Sequence, residues 1–249
     1  MEQTFAPVSN TMDRTNASHM FASSLAIVEK LGSHVTLRQK SVEGDRWKSN
    51  KARLKIPIVD ERNQPVLSFV FSSNDKEKRH LLARLMTADE STVVAEFERT
   101  AQVSEGGLLG ALVGMISFQP PNPCKVRING TEYGTIHTGL AVSTGHDLEL
   151  RRAENPAAGI KFVGGAGFAG CCCPYDIVFA PLALAGPNPA TMVVDNDSSV
   201  CSCCIPNAFQ RVVGELGSVG SGRDVQTRLD LLLVYAFMMA DVLLLPAHK

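Results

Sequence analysis

The chain has 249 residues, 45% of them hydrophobic and 20% charged, enough for one large domain or two small ones. A formal net charge of −1 provides no electrostatic footprint for nucleic acid, and none is expected as a partner. No basic segment followed by an apolar run stands at the start, so a cleaved secretory signal is not expected and an intracellular setting is.

Residues 1–20 are rich in Ser, Thr and Asn without periodicity and read as a disordered tail, which leaves 21–249 as one domain. Phe21–Leu31 predicts a short helix ended by Gly32. Strands and turns follow. Val35–Gln39 and Lys51–Ile58 alternate polar with apolar residues, as half-buried strands do. Asp60–Pro65 predicts a turn and Val66–Phe71 the returning strand. Leu81–Met86, a turn at Ala88–Ser91 and Thr92–Glu98 repeat that plan, and a third unit runs Val113–Phe118, Pro120–Pro123, Cys124–Ile128. Tyr133–His137, Asp147–Arg151, Gly159–Val163 and Tyr175–Phe179 are further strands, with weaker ones at Thr191–Val194 and Phe209–Gly214. Ten to twelve short strands with evenly spaced turn signals mark an all-β sandwich or barrel, and short turns favour antiparallel neighbours.

A helix over about 224–245 closes the chain. Asp224 is placed to cap it and Pro246 to stop it. From Leu231 to Leu245, a run that includes Leu232, Leu233, Tyr235 and Phe237, every residue but Asp241 is apolar. Apolar residues cover all sides of this helix, so it must be buried in a protein core or in a bilayer. Its fifteen apolar-run residues rise roughly 22 Å against a hydrocarbon core of about 30 Å, and Asp241 adds to the cost of insertion. Length therefore favours a core helix, with Asp241 reaching water at the mouth of a barrel closed around it.

Taken together, these stretches resemble the phospholipid scramblases, within the wider tubby-like fold. The likeness is carried by Lys51–Asn74 and by the hairpin Leu85–Arg99. It continues through the strand and diproline turn Ile116–Pro121, Tyr133–Ile136, and Gly159–Gly164 leading to Cys171–Cys173. It ends in Asp224-Val225-x-x-Arg228-Leu229 followed by the apolar helix with its late Asp241. About residues 25 to 245 are covered. The resemblance implies a mostly β fold, a twelve-stranded antiparallel tubby-like barrel enclosing the hydrophobic C-terminal helix. It also implies bidirectional, poorly selective movement of phospholipids between leaflets, often Ca²⁺-stimulated, with S-acyl anchoring.

Seven cysteines include two clusters, Cys171-Cys172-Cys173 and Cys201-x-Cys203-Cys204. Adjacent cysteines rarely pair with each other, so a disulfide framework fits poorly. S-acylation of two or more thiols would give stable anchoring, whereas one acyl chain is marginal. The family's acylation cluster precedes the Ile116 strand, and there this chain has Glu105–Gly110 without cysteine. Four thiolates could also hold zinc, although no CxxC spacing exists, and plain reduced thiols are the bland alternative. For Ca²⁺ the nearest oxygen-rich loop is Asp195-Asn196-Asp197-Ser198-Ser199, where Asp195 and Asp197 are the candidate ligands. It lacks the Gly and Glu of an EF-hand, so a solvated turn is favoured.

The histidines His34, His80, His137 and His146 are dispersed, and none sits at catalytic spacing. Gly164–Gly170 opens no helix and is not a dinucleotide loop. Lys76-Glu77-Lys78-Arg79, with Lys51, Arg53 and Lys55, could bind anionic headgroups or be a solvated surface. The expectation is a scramblase-like protein on the cytoplasmic face of a membrane, the plasma membrane first, without bond-making chemistry. The alternative is a tubby-like module that binds phosphoinositides or a protein and moves no lipid.

Overall fold

The computed structural model describes residues 21–38, 54–75, 80–99, 122–141, 145–156, 159–166, 177–181, 191–196, 210–217 and 224–244. Helix α1 (Ala22–Glu29) is followed by β1 (His34–Arg38), β2 (Leu54–Asp60), β3 (Pro65–Asp75), β4 (His80–Thr87), β5 (Val93–Arg99) and β6 (Cys124–Ile128). Then come β7 (Thr131–Ala141), β8 (Gly145–Arg152), β9 (Ile160–Ala166), β10 (Ile177–Pro181), β11 (Met192–Asn196), β12 (Gln210–Glu215) and helix α2 (Val225–Leu244). The protein is mostly β and antiparallel, with one long C-terminal helix. Each strand pairs with its neighbours in sequence, and β1 pairs with both β2 and β12, so the hydrogen bonding forms a closed barrel.

Alternation of residue type sets which face looks inward. In β1, Val35 and Leu37 are buried while His34 is exposed; in β6, Cys124, Val126 and Ile128 are buried while Lys125 is exposed. Register shifts at Ile58/Val59, Phe71/Ser73, Leu85/Met86 and Val126/Arg127 interrupt the ladders. Such bulges bend strands and increase twist, which is what a sheet needs in order to curl. The turn between β6 and β7 is Asn129–Gly130 with φ of 52° and 76°. Both central residues are left-handed, the geometry of a two-residue hairpin and the reason for Asn-Gly there.

Helix α2 fills the space the strands surround. The backbone N–H of Thr227 donates to Asp224 Oδ1 at 2.6 Å, so Asp224 is the N-cap. From Leu229 to Ala240 every residue is at most 4% exposed. The choice left open by the apolar run is therefore decided for a protein core. Among the described residues no helix is long and apolar enough to cross a membrane, a statement that does not concern strands. The helix meets β12 closely because Gly214 has no side chain: a Cβ there would lie 2.2 Å from the Tyr235 ring. Tyr235 passes over it and its hydroxyl donates to the Glu215 carbonyl at 2.7 Å.

Helix α1 sits over the end of the barrel where α2 begins. Ser24 Oγ donates to the Val94 carbonyl at 2.9 Å, and Phe21 meets Tyr133 edge to face with centroids 5.2 Å apart. Two expectations need correction. Cys124–Ile128 does not pair with Val113–Phe118: its two edges are taken by β5 and β7. The Val113–Phe118 stretch itself, like the tail 1–20, lies outside the described residues. Asp195 and Asn196 belong to β11, in register with Arg211 and Gln210, instead of forming a loop, because β12 offers them a ladder partner.

Gly214→Ala is expected to lower stability by about 1–3 kcal/mol, the range for overpacking a tight core. Urea unfolding monitored by circular dichroism reads this; an unchanged midpoint would mean that α2 shifts away without cost.

Candidate functional site

Two charged side chains of α2, Arg228 and Asp230, are buried at the start of its apolar run, and their partners come from strands and loops far away in sequence. Asp230 is 0% exposed. Its Oδ1 accepts the Tyr133 hydroxyl, which itself accepts from Gln226 Nε2. Its Oδ2 accepts both Nε, at 2.9 Å, and Nη2 of Arg152. Tyr133 lies near the start of β7 and Arg152 ends β8, and the two strands are neighbours with Gly134 opposite Arg152. Gly134 is required there: a Cβ would stand 2.3 Å from the Arg151 carbonyl oxygen. The pair of strands thus presents one hydroxyl and one guanidinium side by side to a single carboxylate.

The electrostatics follow from burial. Desolvation pushes the Asp230 carboxyl above its ordinary range, while the hydrogen bonds and charge of Arg152, and the Tyr133 hydroxyl, pull it back. For Arg152, desolvation lowers the guanidinium value, and the Asp230 contacts more than offset it, leaving a net rise. Burial, then the Asp230 charge, push the Tyr133 hydroxyl far up, so it stays a donor throughout the physiological range. The unit is a pinned ion pair with a permanent donor.

Arg228, two residues earlier on the helix, is 1% exposed. Its Nη2 donates to the carbonyls of Leu31, at 2.5 Å, and Gly32, at 2.9 Å, just past the end of α1. Burial lowers its guanidinium value, opposed by the charges of Glu29 and Glu61. Near the other end of α2, Arg99 of β5, 2% exposed, lies over the Phe237 ring at 5.5 Å from the centroid. The outside of the sheet carries cross-strand pairs instead, Arg84–Glu96 at 2.9 Å and Arg127–Glu98 at 2.8 Å. Pairs as exposed as these are worth about 0–1 kcal/mol each.

The helix residues singled out from sequence, Leu231, Leu232, Leu233, Tyr235 and Phe237, are all buried together in the core, and Asp224 caps them. Asp241 lies in α2, but its side chain is outside the described residues, as are Cys171, Cys172, Cys173, Cys201, Cys203, Cys204 and Asp197. No group of three His, Cys, Asp or Glu side chains able to hold a metal occurs among the described residues. The sequence gives Asp230 no assigned role and Arg228 a place only within the resemblance, although a signal is present: charges at the start of an otherwise apolar, buried helix demand partners. No protein-family model matches the chain, and no match is found among curated proteins or solved structures.

What this arrangement does chemically is hold the helix in one rotation and depth. Removing one partner of a buried pair costs about 3–5 kcal/mol. Arg152→Leu, which strands a fully buried carboxylate, is expected near that value. Asp230→Leu costs less, because the Arg152 side chain is 22% exposed and can turn to water. The double variant is expected to be more stable than Arg152→Leu alone, as a double-mutant cycle of denaturation energies would show. A second check concerns pH. With the folded value of Asp230 raised, its contribution to stability is fully present below the unfolded value and is lost as pH rises through the folded one. Asp230→Asn is expected to remove that pH-dependent loss from stability curves taken across the acid range.

Proposed function

We propose that this protein is a scramblase-like, membrane-associated β-barrel that lets phospholipids pass between leaflets with little selectivity and makes or breaks no bond. The observation that supports it is the enclosed C-terminal helix. An antiparallel strand array wrapped around an apolar helix is in keeping with the sequence resemblance, whose finer form would be a twelve-stranded tubby-like barrel. With α2 sealed inside, the protein's dealings with lipid fall to its outer surface and to the stretches that join its strands. The reading includes a place on the cytoplasmic face of a membrane, S-acylation at the two cysteine clusters, and Ca²⁺ as an optional stimulus through Asp195 and Asp197.

A second reading draws on the same burial. A helix at most 4% exposed from Leu229 to Ala240 leaves no lipid path along its own surface. That favours a tubby-like module that recognises a phosphoinositide headgroup or a protein and transports nothing.

The two readings separate in reconstituted liposomes carrying fluorescent phospholipid, with dithionite added outside. Scrambling predicts loss of the protected half of the signal in intact vesicles, and comparison with and without Ca²⁺ shows whether the cation matters. A protected fraction equal to that of empty vesicles, together with headgroup-specific binding, would replace the first reading by the second. Replacing Cys171, Cys172 and Cys173 with Ala is expected to move the protein from membrane to cytosolic fractions, since acyl anchoring needs two chains. An unchanged distribution would remove acylation at that cluster.

A further inference from the structure

The outside of the strand array has two unlike sides. On β4, β5, β6 and β8 outward charges are matched within the chain: Arg84 pairs with Glu96 at 2.9 Å, Arg127 with Glu98 at 2.8 Å and Arg151 with Glu149 at 2.8 Å. On β11, β12, β1 and β2 the middle of the outer face carries no charge. Register sets Val193 beside Val213, Val213 beside Thr36, and Thr36 beside Val59. All four are half-buried and alternate with the buried inward residues Met192, Val212, Leu37 and Ile58. Strands about 4.8 Å apart make this row roughly 15 Å across.

The two borders of this row are charged, and oppositely so. Toward the α1 end lie Glu215, in register with His34, and the β2–β3 turn with Asp60, Glu61 and Arg62. Toward the other end lie Arg211 and Arg38, in register with each other, and Asp195, in register with Arg211. The Glu215 carboxylate has no hydrogen bond or ion pair among the described residues. Short β-branched side chains lying flat on a pleated surface suit another sheet, which packs about 10 Å away. Faces that enter a bilayer carry Trp, Phe or Leu instead, and an acidic border is repelled by anionic lipid.

We infer that the outer face of β11, β12, β1 and β2 is where two copies of this protein meet. A twofold axis lying in that face and running across the strands reverses the strand direction of the second copy. Each residue of the row then meets its own counterpart. Glu215 and Arg211 stand two residues either side of Val213, so Glu215 of each copy meets Arg211 of the other, and the pair forms twice. The same operation sets Arg38 against His34, which favours a neutral imidazole, and Asp195 against Thr191. An axis along the strands would bring acidic border against acidic border, so charge selects the first arrangement. A face this narrow belongs with the small interfaces, below about 1,200 Å² in total, and gives a weak dimer that forms with concentration. Dimerisation of this kind is independent of lipid transport.

Sedimentation velocity of the full chain across a wide concentration range tests this, and a monomer–dimer equilibrium is expected. Glu215→Arg and Arg211→Glu each set like charges opposite one another, and each is expected to weaken association by about tenfold or more. Mixed together, the two variants recreate both ion pairs between unlike copies and are expected to associate at close to the original strength. Lys125→Glu, on β6 at the far side of the barrel, alters net charge as much as Arg211→Glu does and is expected to change association by less than about twofold. Melting curves establish that each variant folds. A monomer at every concentration, reversals no stronger than Lys125→Glu, or a mixture that stays monomeric overturns the inference. Flotation with vesicles that Val213→Lys abolishes, in a chain that never dimerises, overturns it too and gives the face to lipid.

Discussion

Everything in this protein depends on covering one helix. Eleven apolar residues between Leu229 and Ala240 are buried, and a fully buried large apolar side chain contributes about 1.5–3 kcal/mol. The gross gain is on the order of 20 kcal/mol before the entropy of ordering is subtracted. No single face of another helix or flat sheet could supply it, because the apolar residues point in every direction. A curled strand array can. Its inward residues, Phe69, Phe71, Phe97 and Phe162 among them, form with α2 one continuous core.

Apolar burial decides that the helix goes inside, but it is indifferent to depth and rotation. Polar contacts decide those. Asp230 is taken by Tyr133 and Arg152, Arg228 reaches the carbonyls beyond α1, and the Tyr235 hydroxyl finds the Glu215 carbonyl beside Gly214. Each is worth little net when made, yet a misplaced helix would leave a buried carboxylate or guanidinium unmatched, which is expensive. The polar contacts therefore discriminate between positions more than they stabilise.

Much of this was legible in the chain. The alternation in Val35–Gln39 and Cys124–Ile128, the return of Val66–Phe71 after Asp60–Pro65, and the capped apolar run after Asp224 all correspond to observed elements. Asn129–Gly130 is a turn whose chemistry could have been read from two letters. The pairing of β6 was misread, because proximity in sequence made Val113–Phe118 the natural partner, whereas the ladder with β5 and β7 fills both edges. Asp195 has the side-chain chemistry of a ligand loop, yet its backbone joins a strand.

By itself, the sequence determined the antiparallel β character, the short N-terminal helix, and a closing helix that had to be hidden on every side, since these follow from local periodicity and caps. Only the tertiary structure decided what hides that helix, and which of its charges matter. The partners of Asp230 lie 97 and 78 residues away, on β7 and β8. No local pattern encodes such a meeting, because it arises only when two strands in register present a hydroxyl and a guanidinium to the same point inside the closed array.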